Sequence, residues 1–146
     1  MERCILILGV ATVLLCFADV SAQEIRRRGT GDIVGNRAEQ LRERLSDLME
    51  KVALTTRDQP VSESEIAGIL AIGKLEGNLC ALATLSRNGR TQAYASVMEA
   101  ITRSTTEADD SLRAWRAAGV AMADWLSIQM DLRQLETNVR STPPGR

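Results

Sequence analysis

Histidine is absent from this chain of 146 residues, aromatic residues make up 3% of it, and only three cysteines and three prolines occur. The lack of imidazole removes the commonest general base, the histidine haem ligand and the usual zinc sites. Two of the cysteines, Cys4 and Cys16, lie in a segment read below as a removable leader. That leaves Cys80 without an intramolecular disulfide partner. Its neighbours Gly77, Leu79 and Ala83 are small or apolar, so it is expected to be buried as a small hydrophobe rather than to bridge to a second chain. Excess charge is also lacking: the formal net charge is −1, which argues against a strongly basic nucleic-acid binder. No glycine-rich phosphate loop, paired-cysteine motif, HExxH or nucleophile elbow is found, and no cofactor is implied. Strand-like alternation is missing as well.

What is present begins with an address. Residues 1–22 read MERCILILGVATVLLCFADVSA. Arg3 and the free amine form a short positive region, and an apolar or small-residue run of 15 extends from Cys4 to Ala18. Val20 and Ala22 then occupy the −3 and −1 positions of a signal-peptidase site, so a secretory signal cleaved before Gln23 is expected. A run of this length spans only ~22 Å as a helix, short of a bilayer core of roughly 30 Å. The triplet Arg26–Arg28 pulls the other way, towards a retained anchor, because positive charge tends to stay on the cytoplasmic side. Without Glu2, Arg3 and Asp19 the remainder carries 17 basic and 17 acidic residues. The expected destination is an exported one, periplasmic or secreted, with no membrane span after cleavage.

The rest of the chain reads as all-α. Residues 23–35 hold three glycines and no sustained period, and are expected to be a flexible segment before a helical domain at 36–140. Asn36 and Glu39 resemble a capping box, and Leu41, Leu45, Leu48 and Val52 then mark one helix face. Pro60 stops this helix, and Ser62 with Glu65 opens the next, which ends at Asn88-Gly89. From Thr91, taken as a helix cap, Tyr94, Met98, Ile101, Thr105, Ala108, Leu112, Trp115, Gly119, Met122 and Leu126 recur at helical spacing. Ala121, Trp125, Ile128, Leu132, Leu135 and Val139 continue one position over, a shift that the drift of a straight helix against a seven-residue repeat would explain. The expectation is a small bundle of three helices with one long C-terminal helix over 91–139. If Ser104-Thr105-Thr106 breaks that helix there are four. Residues 141–146, with Pro143 and Pro144, form a flexible tail.

The middle helix carries the most unusual stretch, IAGILAIGKLEGNLCALATL from Ile66 to Leu85, apolar on nearly every side. Lys74 and Glu76 at its centre would each cost roughly 2.5–3.5 kcal/mol in a bilayer, which argues against a span. Lys74, Glu76 and Asn78 are either a polar pocket for an anionic metabolite or the solvent strip of a buried helix. Gly73 and Gly77, one turn apart, suggest close helix packing. Asp109-Asp110 lacks a third oxygen ligand at a recognisable spacing and reads as a solvated acidic turn, so no metal is expected. Trp115 and Trp125 are candidate partner anchors, since tryptophan is enriched at binding hot spots, although their helical spacing also suits a core. These features favour a non-catalytic module that binds a protein partner through a helix face. Self-association into a structural component, and a small helical enzyme with an Arg/Lys/Glu pocket, are the alternatives.

Overall fold

A computed structural model describes residues 33–58 and 60–143, apart from the side chains of residues 116 and 117. The expected leader, most of the N-terminal segment and the end of the tail lie outside these residues. The described residues form four α-helices and no strand. Helix α1 covers 33–56, and Val34, Ala38, Leu41, Leu45, Leu48 and Val52 are all buried along it. The expected stripe therefore extends backwards past Asn36, which is inside the helix rather than at its cap.

Helix α2 is Glu63–Arg87, opened by Ser62, whose hydroxyl accepts from the Glu65 backbone N–H at 3.1 Å. It closes with two reversed backbone bonds, Gly89 N–H to the Ser86 carbonyl and Arg90 N–H to the Leu85 carbonyl. Gly89 sits at φ +65°, the left-handed position this terminus requires. Thr91–Ala93 form a single 3₁₀ turn, and the helix after it is capped at Ala93 with no side-chain hydrogen bond, so Thr91 does not cap it.

The third segment corrects the expectation of one long helix. Helix α3 is Tyr94–Ala114 and helix α4 is Met122–Arg140, separated by Trp115 in an extended conformation and a 3₁₀ stretch, Arg116–Ala121. The helix runs unbroken through 104–106 because each hydroxyl there bonds back along it. Ser104 donates to the Ala100 carbonyl, Thr105 to Ile101 and Thr106 to Thr102, which satisfies the side chains without disturbing the ladder. The phase shift between the two apolar stripes is thus a real break. After Trp115 the buried positions are Ala118, Ala121, Trp125 and Ile128, whereas Leu126 is half exposed.

Cross-helix pairs give the topology. Glu39 and Arg87 join the start of α1 to the end of α2, while Thr56 and Glu65 join their other ends. Lys74–Glu107 and Asn78–Ser104 link α2 to α3. Asp109 accepts from Trp125 and Gln129 across α3 and α4. Arg37 and Arg44 both meet Asp131, and Lys51 meets Asp124, between α1 and α4. For α1/α2, α2/α3 and α1/α4 one number falls as the other rises. Between α3 and α4, Asp109 meets Trp125 and Gln129 at one end, while Tyr94 and Met98 line a groove with Val139 and Arg140 at the other. The helices therefore run up, down, up and down around one core. With so few aromatics, that core is chiefly leucine, isoleucine, valine and alanine, around a fully buried Trp125.

Candidate functional site

Among the positions singled out by sequence, both tryptophans belong to the core. Trp125 is 0% exposed and its indole N–H donates to Asp109 at 2.8 Å; Trp115 is 4% exposed and lies over Gly68. A Cβ at Gly68 would stand 2.9 Å from the Trp115 ring, so the glycine is what lets the ring approach the α2 backbone. Neither indole is available as an anchor for a partner.

The trio Lys74, Glu76 and Asn78 is not brought together. Lys74 reaches Glu107 on α3 at 2.6 Å. Asn78 donates to the Ala100 carbonyl at 3.2 Å and to Ser104 at 3.1 Å, which secures a hydroxyl in a fully buried residue. Glu76 lies on the side of α2 towards α1; burial pushes its carboxyl above the usual range, and Arg42 partly offsets this. Two of the three therefore join α2 to α3, and the third faces another way.

Asp109 lies within α3 rather than in an acidic turn. Its carboxylate accepts from Arg113, Trp125 and Gln129 at 2.8, 2.8 and 2.9 Å. The Arg113 hydrogen bond, with those from Trp125 and Gln129, holds its carboxyl below the ordinary range against a smaller opposing effect of burial. This closes one end of the α3/α4 seam. At the other end the helices leave a groove of about 700 Å³, with Tyr94, Ala95, Met98 and Val139 among its lining and Glu136 and Arg140 paired at its edge. Among the described residues no group of three or more His, Cys, Asp or Glu is placed to hold a metal ion.

The surface that sequence reasoning missed is the outer face of α2. Gly73 and Gly77, expected in a tight helix contact, have nothing within 4 Å of a Cβ placed on them. The close approaches are instead at Gly68, under Trp115, and at Gly35, where a Cβ would meet the Ser86 hydroxyl at 2.9 Å. On the outer face Ile66 is 50% and Leu70 68% exposed, and Gly73, Gly77, Ala81 and Thr84 continue outward along the same line. Ile69, also exposed, flanks it, and Cys80 beside it is half-buried rather than enclosed. The stripe from Ile66 to Thr84 is about 27 Å long at the helical rise and carries no charge along its crest. Lys74 stands at its margin with its charge taken up by Glu107. The signal was legible as a second period, +4, +3, +4, within the run read as apolar all round. By length and composition α2 is apolar enough to cross a membrane, and its buried face supplies only part of that character.

The chain was compared with protein-family models, curated proteins and solved structures, and none of them matches it.

Proposed function

We propose that this protein is an exported, non-catalytic interaction module, and that the outer face of α2 is its contact surface. The observation that carries the reading is the uncharged stripe from Ile66 to Thr84, in which large apolar side chains stand in solvent beside bare backbone at Gly73 and Gly77. Contiguous exposed apolar surface of this kind marks interaction sites. The perturbed carboxylates do not compete with it: Asp109 is engaged by three donors within the bundle, and Glu76 is shifted chiefly by burial.

A photo-crosslinking amino acid at position 70, compared with one at Gln134 on the exposed side of α4, tests the reading in the producing cell. Adducts from position 70 alone support it; equal yields from both positions, or none from either, overturn it. Export is tested separately by N-terminal sequencing. Signal-peptidase cleavage predicts a first residue of Gln23, whereas intact Met1 on a membrane-bound species would contradict it.

A further inference from the structure

We infer that the partner of the α2 outer face is the same face of a second copy, with the two α2 helices packed antiparallel; this rests on the docking reading above. Two features of the helix select that occupant and that direction. The first is size. The N-terminal half of the stripe carries the bulk, Ile66 and Leu70, and the C-terminal half carries Gly73, Gly77, Ala81 and Thr84. A parallel pair would set bulk against bulk and leave the small halves facing across a void. With a two-fold axis between Gly73 and Gly77, an antiparallel pair sets Leu70 over Cys80 and Ile66 over Thr84 of the second copy. Each large side chain then enters the space left by small ones, the arrangement of knobs and holes that close helix pairs require.

The second feature is charge. The crest runs into the exposed Glu63 at its start and into Arg87 at its end. Arg87 meets Glu39 at 3.3 Å but its side chain stays 66% exposed, so the uncharged crest is acidic at one end and basic at the other. Antiparallel pairing places each acidic end beside the basic end of its neighbour, and the helix dipoles agree with that direction. Such a two-fold contact is self-complementary, as expected of a homodimer interface. A membrane surface is the poorer fit, because the stripe has no cluster of basic residues beside it: Lys74 at its margin is bound to Glu107, and Arg87 at its end is shared with Glu39.

The register makes a specific cysteine test available. Cys80 faces Leu70 of the second copy, while the two Cys80 residues are separated by about ten residues of helix, ~15 Å, well beyond the ~7 Å limit for a disulfide. The unaltered chain should therefore run as a monomer on a non-reducing gel. Leu70→Cys, oxidised with copper–phenanthroline, should give a covalent dimer whose peptide map joins position 70 to Cys80. Adding Cys80→Ser to that variant should abolish the bridge. A dimer that persists in the double variant would mean 70-to-70 pairing, and would overturn the antiparallel arrangement. No bridge in Leu70→Cys, with a photo-crosslinker at position 70 still capturing a different protein, would overturn self-pairing and leave the docking surface standing. Cosedimentation of a monomer with phosphatidylcholine vesicles would likewise overturn it, in favour of a lipid surface. If neither chemistry captures anything, both readings fall.

Discussion

The two faces of α2 are built from the same kinds of residue and behave in opposite ways. Inward, Ile72, Leu75, Leu79 and Leu82 are fully buried, and Gly68 is in contact with an indole ring. Outward, Leu70 is mostly exposed and Gly73 and Gly77 touch nothing. Leucine and glycine therefore do not themselves indicate which face is packed. What separates the faces is whether neighbouring helices supply atoms to meet them. The outer face retains the composition of a contact without its counterpart within the bundle, which is the physical content of the docking proposal.

The comparison can be broken most forcefully with matched truncations. Leu79→Ala should destabilise the fold by about 2–5 kcal/mol, the usual cost of emptying a core site. Leu70→Ala should leave the stability of the monomer within about 0.5 kcal/mol of the starting value, as at an ordinary surface site. Chemical denaturation at a concentration where the chain is monomeric measures both, and equal losses would contradict the assignment of faces.

A smaller contrast lies in the glycines. Gly77→Ala should raise the thermal midpoint of the monomer, since alanine gains roughly 1 kcal/mol over glycine in a helix and meets no obstacle here. Gly68→Ala has the same helical gain but drives a methyl into the Trp115 ring, an overpacking cost of about 1–3 kcal/mol. Its midpoint should not rise, and a rise in both variants would show that the Trp115 contact is loose.

The smallest effect concerns Glu76 at the edge between the faces. Its carboxyl is raised by burial, so the folded state binds this proton more tightly than the unfolded state. Its contribution to stability is then greatest in acid and declines as pH rises through and above the ordinary carboxylate range. Glu76→Gln should remove that decline. The stability difference between variant and parent should grow in the variant's favour from about pH 4 upward, and a difference that shrinks over that range would reverse the sign.

These contrasts also show why part of the molecule was legible in its sequence. The all-α class, the α1 stripe at Leu41, Leu45, Leu48 and Val52, and the Ser62 cap depend on short-range spacing and bonds, which a sequence displays directly. The break at Trp115 was visible only as a one-position phase shift, and helical drift accounts for such a shift equally well on paper. Three-dimensional packing decides it, because Trp115 must reach Gly68 while Trp125 reaches Asp109. The polar cluster at 104–106 misled in the other direction, since hydroxyls bonded to preceding carbonyls are compatible with a continuous helix. Gly73 and Gly77 suggested a close helix contact that the bundle does not make; the close approaches are at Gly68 and Gly35. Only three-dimensional packing distinguishes a glycine under a ring, such as Gly68, from one in open solvent, such as Gly77.

Mass as a function of concentration tests the central claim most directly. Sedimentation equilibrium of the purified chain should show a monomer–dimer equilibrium, and Leu70→Glu should shift it to monomer while far-ultraviolet circular dichroism stays unchanged. A parent that is monomeric at every concentration, or a dimer indifferent to glutamate at position 70, would contradict pairing through the outer face of α2.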